Sequence, residues 1–234
     1  MTENSASKFD NSRAGEYARQ SRIALAGYDA CHELSACMLA ASLPGTKQAK
    51  ILVVGAGGTA GEIITAARLE PTWTFVAVDP SPAMLDVARE NLVEAGIAPR
   101  VAFVSGHLAD IRDDGGFDAA IMIGVLHHIP GNAAKHCVLQ QLSDRLRPGA
   151  PLILAGNYRP YSSEPMLMTA WAQRWRMHGA GPDEIEAKMG RILQGAEPPE
   201  SEEAVANLLA NAGFGAPLRF FSSLFWGAWI TQRA

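Results

Sequence analysis

The chain has 234 residues, 48% hydrophobic and 19% charged, a globular balance with enough apolar material for a large core. Its formal net charge is −4 and only five of its 20 basic residues are lysines, so no phosphate-tracking surface is advertised and nucleic-acid partners are disfavoured. Cys31, Cys37 and Cys137 have neither metal-ligand nor disulfide spacing, and no apolar stretch reads as a signal core or bilayer span. The expectation is a cytoplasmic protein that makes no membrane contact, as monomer or homodimer, with no bound metal.

After a polar start over 1–12, the pattern predicts helix over 14–42 with a break near Gly27, then a turn at Pro44-Gly45. Ile51-Leu52-Val53-Val54 is a continuous apolar run, as in a parallel strand covered on both faces, and it enters the glycine-rich turn Gly55-Ala56-Gly57-Gly58-Thr59-Ala60-Gly61. A helix over 60–69 and a strand over 74–79 follow. Ser81 caps a helix reaching Glu94, with Pro82 in its first turn and Gly96 beyond its end. Strands over 101–105 and 117–123 precede a helix over 133–146, which Arg147-Pro148-Gly149 stops before a strand over 151–156. Such strand–helix repeats predict an α/β fold with a mostly parallel sheet and helices on both faces. The rhythm breaks over 158–199, where two helices (165–178 and 182–193) read as an insertion. A helix opened by Ser201 and a strand pair over 217–232 close the chain.

The glycine loop by itself fits more than one nucleotide-like ligand. Its G-x-G-x-x-x-G and G-x-x-G-x-x-G spacings occur in nicotinamide-binding folds, and Asp79 suits a ribose diol in either case. Three later segments separate the readings. Val78-Asp79-Pro80-Ser81-Pro82-Ala83-Met84-Leu85 sets an apolar Met beside the acid, suited to an adenine ring. Phe117-Asp118-Ala119-Ala120-Ile121-Met122-Ile123-Gly124-Val125-Leu126-His127-His128-Ile129-Pro130 is a strand entering an apolar loop. Leu146-Arg147-Pro148-Gly149-Ala150-Pro151-Leu152 is a turn before the next strand. A short-chain dehydrogenase also needs a Tyr followed four residues later by Lys, and none of the four tyrosines has that partner.

In this order and spacing the segments resemble the class I S-adenosylmethionine-dependent methyltransferases, over about 50–158 and again from 201 to the end. The resemblance implies a Rossmann-like sheet whose last strand is antiparallel. It also implies a helical N-terminal cover (1–48), a methyltransferase-like domain (49–234) and a helical cap inserted at about 158–200. The cofactor would be S-adenosylmethionine. Gly55, Ala56 and Gly57 would face its homocysteine part, Asp79 its ribose, and Pro80, Ser81 and Met84 its adenine side. Gly106, His107 and Leu108 would meet the adenine edge; Ile123, Gly124, Leu126 and His127 would line the methionine and methyl end. Two departures stand out. Val53 occupies the place of a common acidic residue, and Thr59 that of the usual last glycine, unless the turn carries one extra residue.

The leading segment, Tyr17-x-x-x-x-Arg22 and Ala26-Gly27-Tyr28-Asp29, resembles that of a branch related to carboxy-SAM synthases. That likeness brings Tyr28, and with it Tyr17 or Arg22, to the sulfonium side. Tyr17, Arg22, Tyr158, Trp171 and Trp175 are the candidate substrate contacts, and Tyr28, His127 and Tyr158 the candidate catalytic groups. The leading expectation is methyl transfer to a small-molecule acceptor, with an aromatic acceptor or apolar cage suggested by Tyr158, Tyr161, Trp171 and Trp175. A rival, shared with methyltransferase-like azetidine-2-carboxylate synthases, is closure of the cofactor's methionine tail with release of methylthioadenosine. A third reading is a non-catalytic cofactor-binding module.

Overall fold

The structure, a computed structural model, describes residues 11–112 and 116–234; the first ten residues of the polar leading segment lie outside the described residues. Two helices open it, α1 (Asn11–Ala24) and α2 (Tyr28–Ser42), separated at Gly27, whose φ of 80° is the left-handed conformation that glycine adopts without strain. Then come β1 (Lys50–Val54), α3 (Gly61–Leu69), β2 (Thr74–Asp79), α4 (Pro82–Glu94), β3 (Val101–Ser105), β4 (Ala119–Ile123), α5 (Asn132–Arg145) and β5 (Pro151–Asn157). The cap region carries α6 (Pro165–Met177) and α7 (Pro182–Gly195). After it follow α8 (Glu202–Asn211) and the hairpin β6 (Leu218–Ser223) and β7 (Trp226–Gln232).

The seven strands lie in the order β3-β2-β1-β4-β5-β7-β6. β1 to β5 are mutually parallel, and β7 inserts antiparallel between β5 and β6. Successive side chains on a strand face opposite ways, so the apolar runs divide into two cores. Ile51, Val53, Ile121 and Ile153 pack with Ala36 and Leu39 of α2, Ile63 of α3 and Leu92 of α4. Leu52, Val54, Met122 and Leu154 pack with Leu139 and Leu142 of α5 and Val205 and Leu209 of α8. So α2 belongs to the same apolar core as β1, while α1 lies against α4 and α6.

From β1 the chain moves through β2 and β3 toward one edge, and from β4 through β5 toward the other. The carboxyl ends of β1 and β4 therefore border the crevice where connections leave in opposite directions, the usual ligand position in open α/β sheets. No described helix is long and apolar enough to cross a membrane.

Candidate cofactor and acceptor site

β1 ends in a turn held by N–H groups of Gly55 and Ala56 donating to the Val78 carbonyl at 2.8 and 3.2 Å. A Cβ on Gly57 would lie 2.5 Å from Met84 Cβ and 2.8 Å from Asp79 Oδ2, closer than side chains tolerate. Only glycine lets this backbone approach the end of β2 so closely. There the Asp79 carboxylate accepts from Gly57 N at 3.0 Å and Ser81 N at 2.8 Å. Burial raises the Asp79 pKa, outweighing the two backbone bonds and the Coulomb effect of His107, all of which lower it; the Glu62 charge adds to the rise. A carboxylate offers about four acceptor positions, so two N–H bonds leave capacity for hydroxyl donors. Ser81 caps α4 by accepting from Met84 N at 3.4 Å, which holds buried Met84 over the loop.

At the end of β3, Gly106 N donates to the Asp79 carbonyl at 3.0 Å, and Leu108 is buried. The resemblance puts His107 at the adenine edge. The structure supplies a carboxylate three residues later: Asp110 Oδ2 accepts from His107 N at 2.8 Å and crowds the Cα of Gly106. The short helical turn over 108–110 makes this spacing, and its capping geometry was the missed signal.

At the end of β4, Gly124 has a φ of 78°, and a Cβ built there would meet only Trp226, at 3.6 Å. Leu126 and His127 are buried beside it. Burial, with the charges of His128 and Lys135, holds the His127 imidazole well below its ordinary pKa, so it is neutral near neutrality. Its Nδ1 accepts from Asn157 N at 3.4 Å, which leaves the hydrogen of the neutral ring on Nε2. The His127 carbonyl accepts from Glu197 N at 2.7 Å, tying this loop to the chain after α7.

The N-terminal helices close over the loop from the other side. The Tyr17 ring lies against Gly58, with ring carbons 2.5 and 2.6 Å from where its Cβ would be; Met84 Cε is 3.0 Å from the same point. Burial pushes the Tyr17 phenol up to about 12, with the charges of Glu62 and Asp79 adding to it. Tyr28 hydrogen-bonds through its hydroxyl to Thr59, the residue standing where the last loop glycine is usual. Behind it, buried His32 pairs with buried Glu62 at 3.5 Å and contacts the Tyr28 carbonyl through Nδ1 at 2.8 Å. Burial lowers the His32 pKa, but the hydrogen bond and charge of Glu62 outweigh it and leave the pKa raised.

Arg22 and Tyr28 line a groove of about 540 Å³ among α1, α2, α3 and α4, on the helix side of the glycine loop. Arg22 pairs there with Asp29 at 3.0 Å, a partner that the break at Gly27 brings within reach. A smaller cavity of about 240 Å³ lies between α1 and α6–α7, bordered by Trp175 and Lys188.

The remaining aromatic expectations divide by strand alternation. Tyr158 follows β5 toward the α5–α8 face. There it packs edge-on against Trp229 at 5.2 Å, and its hydroxyl accepts from Arg159 and Arg219. Its core packing places it on the opposite face from Asn157, whose cross-strand partner is Trp226, so the preceding residue takes the position expected of it. Trp171 is a fastener: its ring packs on Tyr161 and Phe225, and Nε1 donates to the Ala24 carbonyl at 2.8 Å. Arg174 donates to the carbonyls of Ile23 and Arg22 at 2.7 Å each, so α6 covers the carbonyl end of α1. Trp175 is buried under Lys188, whose ammonium sits 4.5 Å from the ring centre.

Residues 52–152 match the protein family described as a methyltransferase domain. Among solved structures, the chain is similar to a candidate O-methyltransferase from Nostoc punctiforme, with a TM-score of 0.66 at 16% identity, covering 95% of this chain and 60% of that one. An O-methyltransferase family protein from Burkholderia thailandensis has a TM-score of 0.61 at 20% identity, covering 96% of this chain and 68% of that one. Human N-acetylserotonin methyltransferase in complex with S-adenosylmethionine has a TM-score of 0.59 at 14% identity, covering 86% of this chain and 52% of that one. No curated protein matches the sequence. The fold is thus the one these methyltransferase structures share, the family match covers its central part, and the chain spans about half to two thirds of these neighbours' length.

Proposed function

We propose that this protein uses S-adenosylmethionine to methylate a small-molecule acceptor. The observation that carries the reading is the cradle at the β1–β2 edge: glycine backbone pressed against a buried, twice hydrogen-bonded Asp79 carboxylate beside the sheet's switch point. The residues fit the cofactor chemically. Asp79 accepts the ribose hydroxyls, Gly55 to Gly57 present backbone to the homocysteine part, and Ser81, Met84 and the 106–110 turn border the adenine. Ile123, Gly124 and Leu126 line the methyl end, with Tyr17 and Tyr28 closing over it.

When bound, the cofactor supplies an already activated methyl group; the acceptor's nucleophile bonds to that carbon as the S–C bond breaks, releasing S-adenosylhomocysteine. The protein's share is alignment and exclusion of water. Neutral, hydrogen-bonded His127 packs the methyl end, and the acceptor's proton passes to water as the product leaves. The α1–α6 fastening through Trp171 and Arg174 keeps the acceptor side covered.

The test is incubation with labelled-methyl S-adenosylmethionine, first alone and then with a metabolite extract. Labelled acceptor together with S-adenosylhomocysteine supports the reading. Methylthioadenosine formed with cofactor alone replaces it by the cyclisation alternative, and tight S-adenosylhomocysteine binding without product leaves a binding module.

A further inference from the structure

Two buried polar atoms on neighbouring strand ends have no partner among the described residues: Asn157 Oδ1, an acceptor, and Trp226 Nε1, a donor. Buried polar groups are normally matched, and each one left bare costs free energy, so such a pair calls for a missing partner. Asn157 and Trp226 are directly opposed in the β5–β7 register, so their side chains rise from the same face of the sheet. The Asn157 amide is oriented by its Nδ2, which donates to the Tyr161 hydroxyl at 2.7 Å. The Trp226 ring is set edge-on to His127 at 5.3 Å.

A residue without a side chain adjoins the indole. Gly124, at the end of β4, carries no side chain, and a Cβ added there would stand in ordinary contact with the indole and nothing else. The surroundings are otherwise apolar and aromatic: Ile123, Tyr28 and Trp226 pack against the same buried cluster of Leu25, Cys31, Ala155 and Ala228, and Tyr161 packs on Phe225. The hairpin turn that aims Phe225 and Trp226 inward holds Leu224 at a φ of 51°, strained for a side-chain-bearing residue and consistent with a functional constraint.

We infer that Asn157 and Trp226 form the acceptor subsite and bind a hydroxyl-bearing aromatic molecule, its O–H donating to Asn157 Oδ1 and its oxygen accepting from Trp226 Nε1–H. The inference rests on the proposed methyl transfer, since it seats the acceptor's oxygen beside the methyl-end residues Ile123 and Gly124. A hydroxyl both donates and accepts and so matches this acceptor–donor pair, whereas a carbonyl or ether oxygen matches only the indole, and a hydrocarbon neither.

The probe is phenol, with anisole and toluene as size-matched controls, titrated into the full chain while the indole N–H resonances are followed by NMR. Trp226→Phe identifies the Trp226 signal. Phenol is expected to shift it, to bind about tenfold more tightly than toluene, and to lose that advantage in Asn157→Leu. Toluene or anisole acting as strongly as phenol overturns the inference, as does a Trp226 signal unmoved by any of them. S-adenosylhomocysteine binding by Asn157→Leu, measured by calorimetry, shows that this variant is folded; should it fail to fold, Trp226→Phe must remove the phenol preference alone. Normal S-adenosylhomocysteine binding with no phenol preference sinks the subsite and spares the methyltransferase reading; the converse sinks that reading alone.

Discussion

The two halves of the proposed site are built by different means. The cofactor half is local: Gly55 to Gly57, Asp79 and Ser81 sit on two adjacent strand ends and are joined by short backbone hydrogen bonds. The acceptor half is assembled from distant parts of the chain, with α1 fastened to α6 across about 150 residues and Asn157, Tyr161, Phe225 and Trp226 meeting from β5, the cap and the hairpin. Local geometry of the first kind is set by conformational and steric rules, whereas the second depends on side-chain packing. The cofactor half should therefore answer to single-atom changes, and the acceptor half to loss of buried volume.

The largest expected effect is on the acceptor half. Trp171→Ala empties a fully packed aromatic site and frees the Ala24 carbonyl, so denaturant unfolding should show a loss of about 3–5 kcal/mol. S-adenosylhomocysteine affinity in calorimetry should change far less; equal losses in both measurements would erase the distinction between the halves. In the cofactor half, Gly57→Ala drives a methyl into Met84 and Asp79, and S-adenosylhomocysteine should bind about 100-fold more weakly, with a smaller stability loss of about 1–3 kcal/mol.

Asp79→Asn removes the charge-assisted acceptors for the ribose and should weaken the same ligand about tenfold. The sign of the pH effect follows from burial, which raises the Asp79 pKa. Wild-type affinity should fall as pH drops through that raised value, while the Asn variant stays flat. A wild-type profile as flat as the variant's would remove Asp79 from ribose binding.

The smallest effect concerns the strap between α2 and α3. His32 has a folded pKa raised by Glu62, so the pair's stabilisation is fully present below the unfolded histidine value of about 6.5 and fades as pH rises through the folded value. The stability cost of His32→Gln should accordingly be greatest at about pH 5–6 and shrink as pH rises through the raised histidine value. Glu62→Gln should flatten the dependence; a cost of His32→Gln that grows with pH would contradict the pairing.

Much of this architecture is legible along the chain. The apolar run into Gly55, the Ser81 cap and the Arg147-Pro148-Gly149 stop each act within a few residues, and the observed elements begin and end close to where those signals put them. The residues that escaped prediction depend on local turn geometry or on contacts across the fold. Asp110 reaches the end of β3 through a single helical turn, and Glu62 becomes notable only because His32 of α2 is buried against it. Tyr158 drew attention as an aromatic at a strand end, yet alternation turns it to the α5–α8 core and hands the facing position to Asn157, a polar residue closing an apolar strand.

By itself the sequence determined the alternation of strands and helices, the glycine turn and the acid that closes on it. Periodicity, capping and backbone freedom are properties of neighbouring residues. Only the tertiary structure decided which aromatics are core and which border the site, how α1 and α6 lock over it, and where buried polar atoms are left unmatched. Those outcomes depend on which faces meet when the sheet is complete, and no local pattern encodes that meeting.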